Sequence, residues 1–226
     1  MIRTFAGRTF AGRTFAGRTF AGRAWTEVDL SALRHNAQAL AAMTPQGAAI
    51  MAVIKADAYG HGDVRVARTL YRCGVRDFAV ATLEEGMRLR KHMVRGRILV
   101  LGYTDPREAA TLRRWRLAQT AVDAAHAQAL DAQKKRLRVH LALDTGMHRL
   151  GTDVQDGAAL AALCNLKRLR VEGVFTHLCV SDELTEDALA FTATQAARFR
   201  AAVETLHGHG LKGFKTHAQA TYGLMN

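Results

Sequence analysis

Residues 51–62 read MAVIKADAYGHG: a short apolar run is followed by a lysine, and the chain then enters a glycine-rich turn. An apolar run of this length bounded by glycines is typical of a buried parallel strand. Lys55 therefore stands where the strand leaves the core. Partial loss of water around an amine favours its neutral, nucleophilic form, so Lys55 is a candidate for covalent chemistry. The simpler interpretation is a lysine whose stem follows the strand end and whose charge reaches water.

Similar apolar runs recur along the chain, and helical patterns separate them. The predicted strands are Ala49–Ile54, Asp77–Ala81, Arg97–Leu101, Ala118–Val122, Arg138–Leu143, Arg170–Thr176 and Gly213–His217. The predicted helices are Leu30–Ala42, Asp63–Cys73, Leu83–Lys91, Pro106–Trp115, Ala124–Lys135, Gly157–Asn165 and Leu189–His207. This alternation predicts parallel strands joined by helices, in either a doubly wound sheet or a (β/α)8 barrel of the TIM type. No G-x-G-x-x-G motif supports a dinucleotide site, and seven strands are one fewer than a closed barrel needs.

The composition indicates one globular domain with a sizeable core, since 49% of the 226 residues are hydrophobic. The chain contains no apolar run of membrane-spanning length and no apolar segment of the secretory type near its first residue, so the expected location is the cytoplasm. Three cysteines, Cys73, Cys164 and Cys179, lack C-x-x-C spacing. Their odd number predicts buried, reduced thiols and no metal site.

Residues 3–22 consist of four tandem copies of Arg-Thr-Phe-Ala-Gly. A five-residue period fits neither a helix nor a strand, and glycine weakens both, so residues 1–22 are predicted to form a disordered extension. The four arginines of the repeat contribute to a net charge of +12. Most other arginines are scattered over helical stretches, as expected of solvated helix faces. Nucleic-acid binding is therefore not favoured, and an arginine and aromatic arm for RNA stays an alternative.

The 51–62 segment resembles the pyridoxal-phosphate lysine motif of the alanine racemase family, the barrel-type class (fold type III) of enzymes with this cofactor. Further segments similar to that family follow in the expected order; they read RAWTEVDL at 23–30, LDTGMHRLG at 143–151, GVFTH at 173–177 and THAQATYG at 216–223. The resemblance therefore covers residues 23–226. The Met-His-Arg and Gln-Ala-Thr-Tyr-Gly forms are most similar to the serine/alanine racemases of the vancomycin-resistance type.

This resemblance implies a role for each matched residue around pyridoxal 5'-phosphate. Lys55 would carry the cofactor as a Schiff base and then act as the base for the D face of the amino acid. Tyr59 and Thr221 would bind the cofactor phosphate, Thr221 standing where the family has a serine.

The remaining matched residues surround the cofactor ring. Arg149 would lie near the ring oxygen and the substrate carboxylate, which suits its planar guanidinium. His177 would pack against the ring, and His217 would support the same network from behind. Many family members carry a carbamylated lysine that braces the arginine, and here that position is Ala142.

Asp144-Thr145-Gly146 also resembles the signature of an aspartic protease. Such a protease needs two carboxylates that share a proton. The sequence has one such triplet, so this interpretation would require a homodimer, and the racemase interpretation is preferred.

The sequence therefore predicts a racemase for alanine or serine that transfers a proton at Cα, with a barrel domain at 23–226 that resembles a truncated family member. In the family, the eighth strand carries an arginine that faces the pyridine nitrogen, and a β-rich domain supplies a catalytic tyrosine across a homodimer. Neither segment is recognisable in these residues, so we expect little racemase activity. Two alternatives stay open: a single-domain carrier of the same cofactor, and an inactive remnant with a basic arm that binds RNA.

Overall fold

The structure is a computed structural model that describes residues 14–15, 18–19, 27–218 and 221–225. Within the tandem repeat, Thr14–Phe15 and Arg18–Thr19 form two short antiparallel strands. The rest of the extension predicted at residues 1–22 lies outside the described residues, so its predicted disorder stays a prediction.

Seven parallel strands form the central sheet. They are Met51–Val53 (β1), Asp77–Val80 (β2), Arg97–Val100 (β3), Ala118–Ala121 (β4), Leu137–Asp144 (β5), Leu169–Phe175 (β6) and Lys215–His217 (β7). Each strand pairs in parallel with the next along the chain. A further two-residue strand, Thr152–Asp153, pairs with the end of β5. All seven predicted strands are confirmed, and the fold is an α/β half-barrel of the TIM type.

A helix follows or precedes each strand. The main helices are Leu30–Met43, Asp63–Arg72, Leu83–Lys91, Ala109–Arg114, Ala124–Ala132, Gly157–Leu163 and Glu186–Gly208, and two short ones are Lys55–Tyr59 and Thr221–Met225. Polar side chains fix where several helices begin: Asp29, Asp123 and Asp156 each accept hydrogen bonds from backbone N–H groups of the first turn. Thr82 and Glu85 form a reciprocal capping box.

Two helices begin differently from the prediction that the hydrophobic pattern gave. The long helix starts at Glu186 rather than Leu189, because the Thr185 side chain accepts from the Ala188 N–H and caps it there. The helix predicted from Pro106 begins as a 3₁₀ turn, Pro106–Glu108. In the long helix, the polar cap therefore sets the first residue, and apolar periodicity alone placed this start a few residues later.

The main core lies between the sheet and its helices. Its fully buried side chains include Phe78, Ile98, Leu112, Leu130 and Leu141. A second, smaller cluster of Ala79, Leu99 and Ala118 lies on the other face of the sheet. Because side chains alternate along a strand, each strand contributes to both faces. The second face is the interior of the half-barrel.

Within the described residues, β1 and β7 each pair with one strand only, so the sheet is not closed between them. This agrees with the predicted seven-stranded, incomplete barrel. Strand edges of this kind carry N–H and C=O groups without a ladder partner.

Other global features concern thiols, metals and membranes. The three cysteines are free, as predicted, but each is half-buried rather than fully buried. Across the described part of the chain, no group of three or more His, Cys, Asp or Glu side chains is arranged to hold a metal ion. None of the helices described here combines the length and apolar character that crossing a bilayer requires.

Candidate cofactor and active site

Lys55 opens a short turn, Lys55–Tyr59, whose backbone is left-handed. The φ angles of Ala56–Tyr59 lie between 51° and 55°. An L-residue in this conformation costs roughly 1–2 kcal/mol, so surrounding contacts must hold the turn. Backbone strain that is held by its surroundings is concentrated at functional sites, which marks this turn as a candidate.

Two side chains of the helix after β2 hold the turn. Glu85 Oε1 accepts a hydrogen bond from the Ala56 N–H at 2.7 Å. Arg88 donates to Asp57 Oδ1 at 2.9 Å and to the buried Asp63 Oδ2 at 2.7 Å. Sequence analysis missed both residues. Nothing in the local sequence marks the contact of this helix with the lysine turn.

The predicted site residues follow the carboxyl ends of their strands. Lys55 follows β1, Arg149 follows β5, His177 follows β6 and Thr221 follows β7. In a barrel of parallel strands these ends share one rim, which is where active sites are built. The structure therefore places these four residues along one rim, as the sequence predicted.

The charges of Lys55 and Arg149 act on a third rim residue, His177. Burial, followed by the positive charges of Arg149 and Lys55, lowers the pKa of His177. All three side chains are therefore close enough to interact, and His177 is neutral at pH 7. Two cationic side chains therefore lie close to His177 on this rim, where they would favour an anion.

The remaining rim residues are accessible to a ligand. Tyr59 is 60% exposed, and Thr221 is exposed at the start of the last short helix. Within the described residues, no side chain forms a hydrogen bond or ion pair with the exposed guanidinium of Arg149. Ala142, at the position of the family lysine, is buried in β5 and offers no brace. The phosphate contacts predicted for Tyr59 and Thr221 stay predictions.

His217 lies in a buried pair that the sequence did not reveal. Its Nε2 is 2.8 Å from Nδ1 of His140 in β5, and its ring stacks on Phe175 with centroids 4.7 Å apart. Burial, and then the charge of His217, lowers the pKa of His140 to about 3. Burial lowers the pKa of His217 to about 4, with Asp77 acting in the opposite direction. Both imidazoles are therefore neutral at pH 7, and one donates to the other.

Gly173 provides the space for this pair. A Cβ at Gly173 would lie 2.3 Å from Nδ1 of His140. This distance is far shorter than that between two non-bonded atoms in contact. The register also shifts between Val139 and His140, so that His140 faces Gly173 across the ladder. A bulge of this kind re-aims a side chain, here toward His217.

The histidine pair predicts acid sensitivity of the fold. Because the pKa values of His140 and His217 lie below the ordinary 6.5, the unfolded chain binds these protons more readily, and the free energy of unfolding falls as the pH drops from 6.5 toward 4. Each such group contributes at most about 1.4 kcal/mol per pH unit. Denaturant melts from pH 4 to 8 should show a flatter profile for His140→Gln and an unchanged profile for the exposed His209→Gln. Equal profiles for both variants would contradict this assignment.

Gln195 joins the ends of β5 and β6 to the long helix. This fully buried side chain donates from Nε2 to Thr145 Oγ1 and to the His177 carbonyl, both at 3.2 Å, and accepts from the Cys179 N–H at 3.2 Å. Thr145 Oγ1 also lies 2.8 Å from Thr176 Oγ1. Gln195 therefore positions the backbone that carries His177 and the start of the loop that carries Arg149. An isolated glutamine in a helical pattern gave no signal of this role.

Replacing Gln195 with leucine should destabilise the protein, because the buried groups around it lose their partners. Each buried polar group without a partner costs about 1–3 kcal/mol, and we expect a loss of about 2–4 kcal/mol in the free energy of unfolding by urea titration. The exposed helix residue Gln128 provides a matched control, since Gln128→Leu should change it by less than about 0.5 kcal/mol. Similar urea midpoints for the two variants would refute the role of Gln195.

Asp144 holds the loop that follows β5. Its Oδ1 accepts from the N–H groups of Gly146 and His148, at 2.9 and 3.1 Å, and its Oδ2 lies 3.1 Å from His148 Nδ1. These bonds fold the loop that leads to Arg149. The carboxylate is thus engaged within its own loop, which supports the preference for the racemase interpretation of this segment.

Comparisons with known proteins agree with this geometry. The model of the "Alanine racemase, N-terminal domain" family matches residues 28–226. An amino-acid racemase of Enterococcus faecalis is 41% identical over 90% of this chain and 29% of its own length. A serine/alanine racemase of Enterococcus gallinarum is 41% identical over 88% of this chain and 28% of its own length. The solved alanine racemase of Clostridium difficile 630 superposes with a TM-score of 0.80, at 30% identity, over 87% of this chain and 55% of that one.

The chain thus spans about half of the solved alanine racemase and less than a third of the two longer relatives. The predicted similarity to serine/alanine racemases is confirmed by these matches.

Proposed function

The chain belongs to the alanine racemase family, and we propose from this that residues 23–226 form the pyridoxal-phosphate-binding barrel domain of a racemase acting on alanine or serine. The observation that carries the proposal is the placement of Lys55, Arg149 and His177 after the carboxyl ends of their strands, with both cations close enough to act on His177. Lys55 stands at the start of a strained turn that other elements hold in place.

The residues on the rim fit this cofactor chemically. Pyridoxal phosphate carries an aldehyde for an amine and a phosphate for hydroxyl and cationic donors. Lys55 supplies the amine, and the exposed hydroxyls of Tyr59 and Thr221 would donate to the phosphate. The charges of Lys55 and Arg149, both acting on His177, favour an anion at the same rim.

Bound pyridoxal phosphate supplies an electron sink for the negative charge left at Cα when its proton is removed. The chain's own residues position the amino acid and move the proton. Nζ of Lys55 removes the α-proton and returns it to the same face, which by family resemblance is the D face. The planar guanidinium of Arg149 binds the substrate carboxylate. By family resemblance, His177 would pack beside the ring, and its lowered pKa means that it would do so without adding a positive charge.

A complete racemase needs a base on each face of Cα. By family resemblance the second base is a tyrosine of a β-rich domain, and the 226 residues span only about half the length of a solved alanine racemase. We therefore expect purified residues 1–226 to interconvert D- and L-alanine very slowly, since loss of one essential base lowers the rate by about 10²–10⁴-fold. Chiral chromatography measures this directly. Efficient interconversion would show that these residues supply both bases.

The cofactor assignment is tested by adding pyridoxal phosphate to the purified protein and recording its visible absorption. A yellow protein is expected. Reduction with borohydride followed by peptide mapping should place the cofactor on Lys55. Modification of another lysine, or of many lysines equally, would reject the proposal.

A further inference from the structure

A cavity lined mainly by arginines opens at the opposite end of the barrel. It has a volume of about 240 Å³ and its lining residues are Arg113, Arg116, Leu117, Arg136, Leu137 and Arg138. We name it the arginine cavity. Leu117 directly precedes β4, and Leu137 and Arg138 begin β5. The cavity therefore lies at the amino ends of the strands, whereas the candidate active site lies at their carboxyl ends.

Two arginine side chains, Arg90 and Arg138, hold the backbone beside the arginine cavity. Arg90, behind the wall, donates to the carbonyls of Val94 at 2.9 Å and of Trp115 and Arg116 at 3.1 Å. Arg138 donates to the same Arg116 carbonyl. These bonds fix the turn before β4, in which Arg116 has a φ of 53°. The backbone beside the cavity is thus held in place by hydrogen bonds, and the cavity does not depend on exposed side chains alone.

Its positive charge is not neutralised. Burial, and then the charges of Arg138 and Arg116, lowers the pKa of Arg90 to about 10. Across the part of the chain that the structure describes, no carboxylate forms an ion pair with Arg113, Arg116 or Arg136. Four arginines therefore line one concave surface, three of them without a carboxylate partner in the described residues, and an anion there would relieve their mutual repulsion.

We propose that the arginine cavity binds a phosphate-bearing ligand. Guanidinium groups present paired N–H donors that match phosphate oxygens, and several of them around one hollow are the usual means of holding a phosphate. The phosphate belongs either to a small phosphorylated molecule or to the backbone of a nucleic acid. This inference is independent of the function proposed for the opposite rim.

The test compares two variants that remove the same charge from different places. Arg113→Gln with Arg136→Gln alters two exposed residues that line the cavity, and Arg34→Gln with Arg200→Gln alters exposed positions on other helices. Binding of inorganic pyrophosphate is measured by calorimetry, and binding of a single-stranded RNA by fluorescence anisotropy at several salt concentrations.

We expect the cavity variant to bind at least one of the two probes about tenfold more weakly than the unchanged chain, a loss of about 1.4 kcal/mol. The control variant should stay within about twofold. An effect on both probes identifies a site for any accessible phosphate, and an effect on pyrophosphate alone identifies a small ligand. An effect on RNA alone, with a reduced salt slope, identifies a nucleic-acid backbone. Equal losses in both variants, or no binding of either probe, would overturn the proposal.

Discussion

Replacing Lys55 with alanine is expected to abolish covalent attachment of pyridoxal phosphate and to lower proton exchange at Cα by at least about 10²–10⁴-fold. The reason is that Lys55 is proposed to supply both the amine that binds the cofactor and the base that moves the proton. The half-buried side chain forms no hydrogen bond or ion pair within the described residues, so the fold should persist. Visible absorption and the protein mass after borohydride treatment measure the loss.

The matched control is Lys212→Ala, which removes an exposed lysine from the loop before β7. It should retain the absorption band and the mass increase of one cofactor. A Lys55→Ala protein that still turns yellow and gains the cofactor mass at a single lysine would show that the attachment site lies elsewhere.

Replacing Gly151 with alanine is expected to lower the free energy of unfolding by about 2–4 kcal/mol, because backbone strain and overpacking each cost about 1–3 kcal/mol. Gly151 has a φ of +125°, and a Cβ there would lie 2.4 Å from the backbone nitrogen of Asp144. Its own N–H donates to the Val122 carbonyl at 2.7 Å. The residue pins the loop that carries Arg149, so the affinity for the cofactor should fall as well.

Gly157→Ala serves as the control for this change. Gly157 begins a helix, and a methyl group added there would meet no other atom within 4 Å. Alanine there should leave the stability unchanged or raise it by about 0.4–1 kcal/mol. Chemical denaturation of both variants gives the comparison. Unfolding of Gly151→Ala and Gly157→Ala at the same denaturant concentration would contradict the close contact between Gly151 and the end of β5.

The strands and helices followed from the sequence because apolar periodicity reports which face of each element is buried. Phe78 and Ile98 illustrate this: both belong to predicted strands and both are fully buried beneath the helices. The boundaries were less accurate where a polar cap decides them, as at Thr185. The rim positions of Lys55, Arg149 and His177 also followed, since each stands just after a predicted strand in a motif that resembles one family.

What the sequence did not show depends on contacts between distant segments. The left-handed turn after Lys55 is formed by ordinary L-residues, and its support comes from Glu85 and Arg88 on a later helix. The pairing of His140 with His217 needs a register shift in β5 that no local pattern announces. Such features arise when the elements pack, so periodicity within one element carries no information about them.

Lys55 is proposed to act as the base on the D face of the bound amino acid. The most direct test of this claim is deuterium exchange at Cα, followed by proton NMR, with the purified chain and pyridoxal phosphate in D₂O. We expect that D-alanine or D-serine loses its α-proton faster than the L-isomer does, and that Lys55→Ala lowers this exchange to the rate seen with free pyridoxal phosphate. Exchange no faster than with the free cofactor, or exchange that persists in Lys55→Ala, would contradict the claim.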